Sequence, residues 1–127
     1  MMENKGGKMW KFEIPTLLTD LNSYINAERT NKYIASKIKR DDTRLVAMCC
    51  NKLPKLPKNI IIKITYYCKN KKKDRDNIAF MKKFILDGLV LAEKMENDGW
   101  KDYIRWKEEF KIDKKERIEI EIREEEK

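Results

Sequence analysis

The sequence predicts an α+β domain in the order β-α-β-α-β-β, with a mixed sheet packed against two helices, and three observations predict it. Short stretches at 10–14 and 117–122 alternate apolar and polar residues, and 60–67 is β-branched and aromatic but for Lys63. Apolar residues return at helical spacing after position 21 and again over 78–94. The chain has 127 residues, 41% hydrophobic and 41% charged, which suits a single domain with a modest core under a charged surface.

Residues 1–8 are expected as a frayed basic leader without the apolar centre of a signal peptide. No apolar run approaches the roughly 20 residues of a membrane helix, so a cytoplasmic location with no membrane partner is expected. Trp10-Lys11-Phe12-Glu13-Ile14 reads as a half-buried strand that Pro15 closes. Asp20 is placed to cap a long helix starting near Leu21. Along it Leu21, Tyr24, Ile25, Ile34, Ile38, Leu45 and Cys49 recur on one side. Arg29, Lys32, Lys37, Lys39, Arg40 and Arg44 occupy the other, as a solvated face or the wall of a nucleic-acid groove. Pro54 and Pro57 form a stiff connector, and the near-continuous apolar run 60–67 is expected to be a central strand.

The second helix is expected over 78–94, burying Ile78, Met81, Phe84, Ile85 and Leu89 and exposing Lys82, Lys83 and Asp87. The stretch 103–110 is the third strand. It is expected to pair as a hairpin with 117–122 through Asp113-Lys114-Lys115-Glu116. Residues 123–127 read as a flexible acidic tail.

The formal net charge is +8 and the pI near 9.3, favouring a polyanionic partner. Between positions 52 and 73 stand eight lysines and no acidic residue, a positive approach leading into Asp74. The cysteines Cys49, Cys50 and Cys68 lack CxxC spacing, and there is no histidine. These facts argue against structural zinc and exclude Ser-His and Cys-His nucleophilic catalysis. Any general base is therefore a carboxylate, a lysine or a metal-bound hydroxide. Cys49 and Cys68 are expected as small buried hydrophobes.

The chemistry-bearing stretch is Lys73-Asp74-Arg75-Asp76-Asn77, with a further carboxylate at Asp98. In an extended segment Asp74 and Asp76 share one side, Cα atoms roughly 6.5 Å apart, while Arg75 points away. Hard divalent cations are held by a few carboxylates and completed by water and substrate phosphate. The same residues also fit a plain structural role, Asp76 or Asn77 capping the following helix for about 1 kcal/mol.

Taken together, Asp74-Arg75-Asp76-Asn77, Leu86-Asp87-Gly88-Leu89 and Asn97-Asp98-Gly99-Trp100 resemble the RusA-like Holliday junction resolvases, closest to versions carried by phages and prophages. Leu21-Asn22-Ser23-Tyr24-Ile25-Asn26-Ala27 and Arg29-Thr30-Asn31 also fit that group, and the resemblance spans roughly residues 10–122. It implies a homodimeric, Mg²⁺-dependent endodeoxyribonuclease of DNA recombination and repair that nicks four-way junctions, with Mn²⁺ a possible substitute. By motif, Asp74, Asp76 and Asp98 would bind metal.

The family's functional lysine would fall at Phe80, where the carry-over fails. Counting back from Asp87 assigns Lys83 instead, with Lys82 as substitute and a surface pair with Asp87 as the plain alternative. Asn77 is expected to cap the helix and orient Asp76. DNA-binding residues are expected at Arg29, Lys52, Lys55, Lys58, Lys69, Lys71, Lys72, Lys73, Arg75 and Lys82. Rival readings are a nuclease for flaps or forks, a non-catalytic branched-DNA-binding protein of the same fold, and a domain that binds acidic proteins.

Overall fold

A computed structural model describes residues 8–96 and 103–125. Its elements run β1 (Met9–Ile14), α1 (Leu21–Thr30), α2 (Lys32–Cys49), β2 (Asn59–Cys68), α3 (Arg75–Ala79), α4 (Lys82–Leu91), β3 (Tyr103–Ile112) and β4 (Arg117–Glu124). The fold is α+β, with one mixed sheet in the order β1-β4-β2-β3. β2 lies between two neighbours, antiparallel to β4 and parallel to β3. Its run of isoleucines suits that central place, where both flanks are hydrogen-bonded. Ile62, Ile64 and Tyr66 face Ile122, Ile120 and Ile118 across the β2–β4 register. All six are buried in one core with Val46, Phe84, Ile85 and Leu89 from the helices. The other sheet face carries Lys11, Glu13, Lys63, Glu109, Lys111, Glu119 and Glu121 around an open hollow. Among the described residues no helix is long and apolar enough to cross a membrane.

Four expectations need correction. The hairpin between the last two strands does not form, because β2 intervenes. β3 ends at Ile112 beside Cys68, and β4 begins at Arg117 beside Tyr67. The turn between them therefore crosses two strand spacings, about 10 Å, anchored by the Asp113 N–H on the Cys68 carbonyl at 2.9 Å. The long first helix is two helices. Asn31 is extended, and its N–H closes α1 on Ala27 O while its Oδ1 accepts from Tyr33 N–H to open α2. The break shifts the phase of the apolar pattern, so Ile34 is exposed and Ala35 is buried instead.

The second helix is likewise in two parts. Met81, Lys83 and Phe84 bond three residues back rather than four, tightening the turn between α3 and α4. Finally, the sheet reaches into the expected leader and tail. Arg123 and Glu124 belong to β4, and the Lys8 carbonyl accepts from Glu124 N–H at 2.9 Å. The buried face of the second helix is as expected: Ile78, Met81, Phe84, Ile85 and Leu89 are all buried. Cys68 and Cys50 are buried and Cys49 half-buried, all three as free thiols that burial pushes up in pKa.

Candidate metal and nucleic-acid site

The loop after β2 meets the start of α1 around one carboxylate, Asp20, which is 4% exposed. Its Oδ1 accepts from Ser23 N–H at 2.9 Å, capping α1. Its Oδ2 accepts from Asn77 Nδ2 at 3.0 Å and from Lys73 Nζ at 3.0 Å. Asn77 in turn accepts the Asn22 N–H on Oδ1 at 2.8 Å. Burial pushes the Asp20 carboxyl up, but hydrogen bonds from Ser23 and Lys73 and the Lys73 charge outweigh it and hold the group at about 2. This knot fixes α3 against α1. Tyr24, Phe80 and Phe84 reinforce it, with ring centroids 5.4 Å apart for Tyr24–Phe80 and Phe80–Phe84.

Above the knot, Asp74 and Asp76 line one cleft of about 490 Å³ with Leu21, Asn22, Arg75 and Asn77. They do so for a reason other than strand alternation. Asp74 is the extended N-cap residue of α3, and Asp76 lies in its first turn. The cap position therefore belongs to Asp74, not Asp76 or Asn77, and Asp74 makes no side-chain cap bond. Asn77 is buried inside α3, bridging Asp20 and the α1 backbone. Both aspartates are exposed, and their carboxylates have no hydrogen-bond or ion-pair partner among the described residues. Two unpaired oxygen donors in one cleft are the donor chemistry a hard divalent cation takes. Among the described residues no group of three or more carboxylates or cysteines comes together as a metal set.

Asp98 lies outside the described residues. On either side of it, the Lys94 carbonyl accepts from Leu56 N–H at 2.7 Å and Tyr103 pairs with Asn59. Both contacts are at the N-terminal end of β2, whereas Asp74 follows its C-terminal end. The ten residues of β2 separate the two ends by about 30 Å.

The same length divides the lysine-rich stretch. Lys69, Lys71, Lys72 and Lys73 adjoin the carboxylate pair, while Lys52, Lys55 and Lys58 lie at the opposite end of β2, so the stretch is not one approach to the site. Lys63, between them, projects from the uncovered sheet face, 3.7 Å from Glu109. Arg29 is exposed in the last turn of α1.

Lys83 is exposed in the first turn of α4 and makes no ion pair with Asp87. Lys82 is engaged elsewhere, 3.8 Å from Glu108 and 5.2 Å from the Trp106 ring. Phe80, at the position of the expected lysine, belongs to the aromatic cluster. Sequence reading saw Asp20 only as a cap and missed its bond to Asn77, 57 residues away. It also missed Phe110, over whose ring Arg75 sits at 5.6 Å. The sequence matches no protein-family model and no curated protein.

Proposed function

We propose that the chain is a divalent-metal-dependent endodeoxyribonuclease for branched DNA, of the RusA-like Holliday junction resolvase kind, working as a homodimer. The observation that carries this is the cleft in which Asp74 and Asp76 stand beside Arg75, their carboxylates unpaired among the described residues, with Lys71 on the adjoining cleft that shares Asp74. Asp74 and Asp76 would hold Mg²⁺, or Mn²⁺ in its place, a cation that would acidify a water and offset charge at the scissile phosphate. Asp20 and Asn77 position α3, and with it both carboxylates. Lys83 stabilises developing negative charge. Lys69, Lys71 and Lys72 contact backbone phosphates. The third carboxylate of the reading is Asp98, which lies outside the described residues.

The test is purified protein with a labelled four-way junction, with and without Mg²⁺, beside Asp76→Asn. The expected result is metal-dependent nicking that falls about 100-fold or more in Asp76→Asn, with junction affinity kept. Wild-type nicking by Asp76→Asn would sink the mechanism. A second reading, a non-catalytic branched-DNA-binding protein of the same fold, rests on the basic loop at Lys69 and Lys71–Lys73 and needs no metal. That reading predicts tight junction binding with no cutting, even in Mn²⁺.

A further inference from the structure

A second cleft, of about 270 Å³, adjoins the carboxylate cleft and shares Asp74 and Arg75 with it. Its floor is apolar, made by Ile78, Phe110 and Ile112, with Cys68 behind. Its rim is cationic, with Lys71, Lys73, Arg75 and Lys111 against the one carboxylate of Asp74. Lys73 is tied to Asp20 at 3.0 Å and Lys111 lies 3.8 Å from Glu109, while Lys71 has no ion-pair partner among the described residues. The floor is held from within the core. Phe110 stacks on the buried Tyr66 ring, centroids 5.1 Å apart and planes at 18°, and the Tyr66 hydroxyl donates to Glu108 at 2.9 Å. The exposed Arg75 guanidinium sits over Phe110, completing a column of flat groups from the core to the surface.

We infer that this cleft takes one unpaired nucleotide of a DNA strand, its base on the Arg75 plane that covers Phe110 and against Ile112, and its phosphate on the lysine rim. The inference rests on the nuclease reading only in treating DNA as the ligand. Lysines alone would hold any polyanion. An apolar floor beneath them is of use only to a base that has left its pair, since the outside of a duplex presents phosphates and sugars. The volume agrees. It is just below the roughly 300–1,000 Å³ of ordinary small-ligand pockets, room for one nucleotide and not for a base pair. Bases stack on aromatic rings and on arginine planes without regard to sequence. A branch point interrupts the stack, so a base leaves its pair there at less cost than inside a duplex, and Asp74 puts the cleft next to the carboxylate pair.

The test uses the full chain without divalent metal, titrated against fluorescein-labelled oligothymidylate and, separately, inorganic polyphosphate as a baseless polyanion. Arg75→Lys keeps the charge but loses the plane, and Ile112→Ser alters a side chain that is 51% exposed, so neither variant threatens the core. Both are expected to weaken oligothymidylate binding about tenfold and to leave polyphosphate within about twofold. Equal weakening of both ligands, or none of either, overturns the inference. If the subsite fails while wild-type protein still nicks junctions with Mg²⁺, the nuclease reading stands alone. Arg75- and Ile112-dependent binding in a protein that cuts no DNA upholds the subsite and removes the nuclease.

Discussion

Asp20 joins three tasks at one carboxylate: it caps α1, receives Lys73 and holds Asn77. Removing it leaves an uncapped helix, a buried amide and an ammonium without its partner. Asp20→Ala is therefore expected to cost about 2 kcal/mol at neutral pH, from the missing cap and the unsatisfied partners. The pH dependence has a definite sign. The folded carboxyl is held below its ordinary value of 3.8, at about 2. Its ionic contribution is thus complete above pH 3.8 and lost as pH falls through 2. Urea melts of wild type and Asp20→Ala should accordingly converge on acidification across that window. Asp20 was legible as a cap because the signal is local: a carboxylate just before an apolar helical run. Its bond to Asn77 was not, since no spacing rule links positions 57 apart.

Helix boundaries show the same division between local and distant causes. The end of α4 is a Schellman motif, with Glu93 N–H on Val90 O at 2.9 Å and Lys94 N–H on Leu89 O at 2.9 Å. Its left-handed position is filled by Glu93, at φ 61°. A side chain there costs roughly 1 kcal/mol, so Glu93→Gly is expected to raise stability by about that much in thermal melts. Gly88 predicts the opposite sign. A Cβ at Gly88 would run into the Val46 side chain and lie 3.0 Å from Thr43 O, where α2 crosses α4. Gly88→Ala should therefore cost about 1–3 kcal/mol despite alanine's better helix propensity. The Asn31 break was signalled by an Asx residue within a periodic run, a cue outweighed by the recurring apolar residues on both sides. The strand order was hidden for a different reason. A hairpin pattern fixes two strands and a short link, and cannot say whether a third strand lies between them.

At the scale of the molecule, β2 is a spacer that puts two groups of lysines about 30 Å apart. Replacing Lys71 and Lys72 by alanine should weaken junction binding and lower the salt slope by about one for each phosphate no longer neutralised. Alanines at Lys52, Lys55 and Lys58 should do so less, and equal effects in salt-dependent anisotropy titrations would show both ends holding DNA. The dimer reading also bears on Asp98. If the third carboxylate crosses between chains, mixing Asp76→Asn with Asp98→Asn protein should restore nicking, since half of the heterodimers' sites are then intact. Inactivity of the mixture would mean that each site draws on a single chain. The α+β class, the central strand and the buried face of α3 and α4 were legible, because period and composition determine them. Which ends of the strands face each other depends on topology, and so did the fate of the lysine run.

β3 forms one border of the sheet, and a border strand exposes a ladder of amide and carbonyl groups to any other extended peptide. Arg105, Lys107, Glu109 and Lys111 stand along that border with mixed sign. A neighbouring chain adding to it would have to strip water from each of these charges in turn. Fibrous self-association is thereby discouraged at the concentrations needed for crystals or spectroscopy, and neutralising these side chains should expose the chain to it.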